Sequence, residues 1–263
     1  MGPRRARGFK VSAPLAAALV ATLILAAWEI AARTGLLASN FVPAPSAVSR
    51  ALGESWRRDG LPSHLMTTLL RVAGGLALGA GAGFLVGLTL GSFHRARRVV
   101  DPFVAALHPI PKLALLPLFM LLLGLGEWPK IIVIAAASFF PMLLNTVAGV
   151  RQISGVHFDV ARVYGASRYQ LLTRVILPGS VPMVLTGVRL AANVAFLSTI
   201  AVEMVYSQRG LGAMIWLSWQ VLRVDLLYAT LFVIAVVGVA LNAVLQWTAR
   251  RGAPWLSERE LTV

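Results

Sequence analysis

Apolar runs close to twenty residues long recur six times in this 263-residue chain, and no other feature limits its fold so strongly. They lie near residues 12–32, 65–91, 103–123, 130–150, 183–206 and 227–247. Rising about 1.5 Å per residue as helices, such runs cross a hydrocarbon core of roughly 30 Å. Only 13% of the residues are charged, about half the share of an ordinary soluble domain. The chain therefore reads as an all-α polytopic membrane protein of about six transmembrane helices, with the lipid bilayer as its solvent.

The net charge of +14 would suit a nucleic acid, but Lys and Arg are scattered between the apolar runs and share no polar face, so no nucleic-acid partner is expected. With the N-terminus inside, fourteen Lys and Arg fall in inside segments and seven in outside segments, while Arg71, Lys112 and Arg189 lie within spans. That bias places both termini in the cytoplasm. The apolar stretch after Arg4, Arg5, Arg7 and Lys10 exceeds the core of a cleavable signal and reads as a first span. Residues 1–40 are then N-terminus and first span, 41–64 an extracytoplasmic connector, 65–250 the transmembrane domain, and 251–263 a cytoplasmic tail. Pro43, Pro45 and Pro62 make the connector an extended strap with a short surface helix.

Within the second span, Gly75, Gly79, Gly83, Gly87 and Gly91 recur every fourth residue, so all five share one helix stripe against which a neighbouring backbone can pack closely. The third span carries Pro109, Pro111 and Pro117, which remove amide donors and forbid a regular helix in its early part. Broken backbone at membrane depth must line a wet cavity or be buried in protein, so Pro111, Lys112 and Pro117 mark either a pathway wall or a packed kink. Arg71, Arg189, Lys112 and Glu203 lie near span ends, from which they either snorkel to the interface or face a central cavity. Asn145, Thr146 and Asn193 are polar positions that suit the pathway or interhelical hydrogen bonds equally. Trp216 and Trp219, within 210–220, read as an interfacial or re-entrant helix on the outer face.

Between the fourth and fifth spans, residues 151–182 are too many for a minimal turn. The pattern predicts two short amphipathic helices, one ending at Gly165 and the next starting near Ala166 or Ser167 and stopped by Pro178. Asp159-Val160-Ala161, then Gly165, then Val175 and Leu177-Pro178, resemble the cytoplasmic Glu-Ala-Ala, Gly, Ile-x-Leu-Pro motif of permease subunits of ATP-binding-cassette (ABC) importers. Asp stands for Glu, Val160 for the first Ala and Val175 for Ile. The likeness extends to the sulfonate, taurine and nitrate type through Val42-Pro43-Ala44-Pro45-Ser46, Pro111-Lys112-Leu113, Phe140-Pro141, Gly187-Val188-Arg189, Glu203 and Gly210-Leu211-Gly212. It covers about residues 41–250.

This resemblance implies a homodimeric permease in the bacterial inner membrane that forms the pathway for a small solute. It implies a separate cytoplasmic ABC ATPase, holding ATP and Mg, coupled through Asp159, Val160, Ala161, Gly165, Ala166, Ser167, Leu177 and Pro178. It also implies an extracytoplasmic substrate-binding protein. The runner-up from another class is an ion-gradient-driven secondary transporter, but the inverted repeat with paired broken helices that would favour it is not seen.

The chemistry of an enzyme is missing from the pattern. Lys10, Lys112 and Lys130 follow Phe9, Pro111 and Pro129, so no Gly-Lys of a phosphate-binding loop exists. Cysteine is absent, and His64, His94, His108 and His157 lack metal-ligand spacing, so neither a metal nor a cofactor is expected on this chain.

Overall fold

A computed structural model describes residues 13–38 and 41–252; the expectations for the first dozen residues and for the tail beyond 252 lie outside the described residues. The helices are α1 (Ala13–Arg33), α2 (Pro45–Arg57), α3 (Leu61–Ser92), α4 (His94–Leu107), α5 (Leu116–Leu123), α6 (Trp128–Gln152), α7 (Gly155–Val163), α8 (Arg168–Leu171), α9 (Leu177–Val205), α10 (Leu211–Gln220) and α11 (Val224–Gly252). No strand occurs among the described residues. Among the described residues, five helical stretches are long and apolar enough to span, and α4 with the Lys112–Leu123 stretch makes a sixth if that pair, bent by 86°, counts as one.

The molecule is built on α3 against α6, its most extensive helix pair, with α9 packed on α6. The reason is the glycine stripe. A Cβ on Gly75 would strike the Ile134 side chain and one on Gly79 the Ala135 carbonyl. One on Gly83 would lie 2.5 Å from the Phe139 carbonyl, one on Gly87 2.6 Å from Thr146 and one on Gly91 2.6 Å from Val150. The α3 backbone thus lies directly against α6 along the whole stripe, meeting its backbone at Gly79, Gly83 and Gly87 and its side chains at Gly75 and Gly91. Without a hydrophobic force between helices in lipid, that close van der Waals fit is the main source of association. Around it, Val72, Ile134, Ala195 and Phe196 join α3, α6 and α9 in one apolar cluster.

The break in the third span falls at the prolines. Helix α4 ends at Leu107, Pro109 and Pro111 supply no amide, and a short 3-10 turn over Lys112–Leu115 leads into α5. Lys112 resolves the orphan carbonyls this leaves: its ammonium donates to Leu107 O (2.9 Å), His108 O (2.6 Å) and Ile110 O (2.8 Å) and sits 4.4 Å from the centre of the Phe140 ring.

Two expectations are corrected. Pro178 does not stop the second loop helix: α8, a π-helical turn over Leu172–Ile176 and α9 run on as one helix, Arg168–Val205. The wider turn, closed by Leu177 N–H donating to Leu172 O, accommodates a ring that would crowd the carbonyl of Arg174 in a regular α-helix. The fifth span therefore begins well before residue 183. The second correction concerns Arg71, which does not snorkel. It is 3% exposed and fully engaged inside the protein.

Candidate functional site

Two constellations stand out, one at each end of the α3–α6 pair. At the loop end, α7 closes in a glycine cap. Gly165 has φ +69°, Gly165 N–H donates to Arg162 O (3.0 Å) and Ala166 N–H to Ala161 O (2.9 Å), the paired bonds of a Schellman motif. Two residues later Ser167 opens the next helix with a capping box, Gln170 N–H donating to Ser167 Oγ and Ser167 N–H to Gln170 Oε1. Stop and start signals two residues apart fix the angle between α7 and α8.

That corner projects from the protein. Val163, Tyr164 and Tyr169 are 85%, 86% and 75% exposed, and nothing lies within 4 Å of the point where a Gly165 side chain would begin. Large apolar groups presented on a capped corner suit a partner surface. Asp159 and Arg162 pair at 2.9 Å but both are exposed, so the pair adds little to stability. The two halves of the motif meet: Val160 and Ala161 from α7, with Val175 and Pro178 from the long helix, line one cavity of about 820 Å³. Leu177 is half-buried beside it.

At the opposite end lies a buried ionic network. His64, Thr68 and Arg71 fall at i, i+4 and i+7 on α3, hence on one face. Arg71 grips Glu127 in a fork, Nε to Oε2 at 2.6 Å and Nη2 to Oε1 at 2.8 Å, while Nη1 reaches Glu203 at 2.8 Å and the Arg209 carbonyl at 2.6 Å. Glu203, with no exposed surface, also accepts from Thr68 Oγ1 (3.0 Å) and Gly212 N–H (2.9 Å). Leu211 N–H donates to Thr68 Oγ1 at 2.9 Å, and His64 Nδ1 lies 3.0 Å from the Gly210 carbonyl.

Lys130 completes the neutral set of two cations and two carboxylates, donating to Glu127 at 2.8 Å. Glu127, at the mouth, has its pKa lowered to about 2: hydrogen bonding from Arg71 leads, partial burial opposes it, and Lys130 adds to the lowering. The carboxylate is therefore charged at any physiological pH. Gly210, at φ +120°, must be glycine, because a Cβ there would overlap the Glu203 carboxylate. The network stitches the turn between α9 and α10 to α3 and floors a cavity of about 770 Å³ shared with Arg209 and Trp216. Beyond the turn, α10 buries Leu211, Ala213 and Met214 while Trp216 and Trp219 stay half-exposed, as an interfacial helix would.

The proposed pathway residues are not gathered in one place. Glu203 belongs to this network and Pro111, Lys112 and Pro117 to the α4–α5 bend. Thr146 is buried, bonded to the Met142 carbonyl at 2.8 Å, and abuts Gly87; Asn145 donates to the Pro141 carbonyl at 2.8 Å. Arg189 and Asn193, one turn apart on α9, are half-buried, and their side chains form no hydrogen bond or ion pair with another described residue. Sequence reasoning missed Thr68, Glu127 and Lys130 as partners, although the i, i+4, i+7 spacing of His64, Thr68 and Arg71 was a readable signal. No group of three or more His, Asp and Glu able to hold a metal occurs among the described residues.

Residues 79–258 match the family described as binding-protein-dependent transport system inner membrane component. A Bacillus subtilis protein named as an aliphatic sulfonates transport permease is 32% identical over 92% of this chain and 88% of its own. The taurine transport system permease protein of Escherichia coli is 34% identical over 90% and 88%, and the nitrate import permease protein of Synechococcus elongatus 27% over 88% and 87%. Among solved structures, an inward-facing form of the MetNI methionine ABC transporter superposes at a TM-score of 0.59 with 18% identity, covering 71% of this chain and 96% of that one, a likeness of fold.

Proposed function

This chain belongs to the binding-protein-dependent transport inner membrane component family and is a permease subunit of an ABC importer, and from that premise we propose how its parts divide the work. Two copies form the pathway. The Gly165 corner docks in a cytoplasmic ABC ATPase that binds ATP and Mg, and closure of the ATPase pair rocks the permeases as rigid bodies. A substrate-binding protein delivers a small solute, of the sulfonate, taurine or nitrate kind borne by the relatives' names, to the opposite face. Both termini are cytoplasmic.

The observation that carries this reading is the capped, protruding corner at 163–169, with its exposed Val163, Tyr164 and Tyr169. Its rigidity matters. The corner joins directly to the helix Arg168–Val205, so a push on it is transmitted along a single element into the membrane.

In proteoliposomes with the cognate ATPase and binding protein, uptake is expected to require ATP. Gly165→Asp places a side chain with β-carbon and charge where the partner would approach, and asks an L-residue to hold φ +69°. The variant should insert normally and lose uptake by at least about ten-fold, equivalent to roughly 1.4 kcal/mol of coupling, while ATP hydrolysis persists. Wild-type uptake by Gly165→Asp, or uptake by the wild type driven by an ion gradient without the ATPase, contradicts the reading.

A further inference from the structure

We propose that the cavity at the loop-side ends of α3 and α6, flanked by Arg151 and Arg168, is a binding site for an anionic phospholipid. The cavity holds about 760 Å³ and is lined by Arg151, Arg168, Phe93, Phe158, Tyr169 and Ile176 among others, with no acidic residue in its wall. Its floor is apolar and buried: Val150 is 4% exposed and Ile176 6%. The guanidinium of neither arginine pairs with another described residue. Two free guanidiniums beside apolar walls, at the level where helices leave the bilayer, present the fork that matches a phosphodiester and a surface for the methylenes below it.

The cavity between α7 and the long helix also lacks a carboxylate but offers a single arginine, Arg174, where this one offers two. The cavity over Arg71 and Lys130 contains Glu127, and the groove between α2 and α11 is lined by apolar residues and serine with no cation. A lipid also fits better than a soluble protein loop. Leu172 and Ile176 in the wall begin the helix that continues into the membrane as α9, so an acyl tail can follow it downward from a head held by the arginines. The site adjoins α7 and α8, so its occupant would brace the corner that the proposed function assigns to the ATPase. Which leaflet supplies the lipid rests on that reading; the binding chemistry does not.

The test uses the permease alone, purified from membranes of mixed phosphatidylcholine and phosphatidylglycerol, with bound lipid counted by native mass spectrometry. Each arginine near a membrane surface contributes roughly a five-fold preference for anionic lipid. Arg151→Gln with Arg168→Gln should therefore lower the retained phosphatidylglycerol about thirty-fold relative to phosphatidylcholine, whereas Arg223→Gln at the other end, where the guanidinium is already paired with Asp59, should leave it unchanged. Equal retention by the double variant and the wild type overturns the proposal. So does a photo-crosslinker at position 169 that captures the ATPase in the assembled transporter and never a lipid in the isolated permease. Because the ATPase is absent from the retention measurement, failure there leaves the Gly165 experiment untouched.

Discussion

Arg71→Ala is expected to destabilise the folded permease by roughly 3–5 kcal/mol, because it strands Glu203 as a buried carboxylate without its cation. The pair's net worth is a separate matter. Desolvating two charges offsets much of their attraction, so a double variant, Arg71→Met with Glu203→Gln, should recover a large part of the loss. Thermal unfolding in detergent of the two single variants and the double variant gives the coupling directly. A loss below about 1 kcal/mol for Arg71→Ala would show that water reaches the site and screens it.

The pH response can be signed as well. Glu127 has a lowered pKa, so its contribution is complete above the ordinary carboxylate value and is withdrawn only as pH falls toward about 2. Melting between pH 6 and 8 should therefore not move through this group.

The second large effect is Gly83→Leu. Its Cβ would meet the Phe139 carbonyl at 2.5 Å, Met142 Cβ at 3.0 Å and Leu143 N at 3.1 Å, and two of those atoms are backbone that cannot rotate away. Overpacking usually costs about 1–3 kcal/mol, and a helix pair with no room for a methyl group lies at or beyond the top of that range. The permease should fail to accumulate as a monodisperse species on size exclusion. Gly81 is the internal control. It lies two residues away on the same helix, a side chain there meets nothing within 4 Å, and Gly81→Ala should fold at least as well as the wild type. Normal folding of Gly83→Leu would mean that the α3–α6 contact is not what holds the bundle together.

Much of this architecture was readable before any coordinates. The glycine stripe announced a close helix contact because smallness at a fixed period is itself the code for backbone approach. The Gly165 corner was readable for a similar reason, since its cap bonds join residues at most a few positions apart. Local rules failed where the answer depended on strain relief. Pro178 carries a stop signal, yet a π-helical turn over five residues lets the helix pass through it. Lys112 read as a span-end charge that either snorkels or faces a cavity, and no local pattern showed that its ammonium caps the carbonyls of a broken helix.

By itself the amino-acid sequence determined that the chain lives in a bilayer, where its apolar spans lie, which helix faces approach closely, and where a capped loop corner stands. All of these follow from hydropathy, side-chain size and local hydrogen bonding, which act over a turn or two of chain. Only the tertiary structure decided the fate of the charges. Arg71 meets Glu127 across 56 positions and Glu203 across 132, and the desolvation that makes such a group costly is cancelled only when distant segments arrive together with the right geometry.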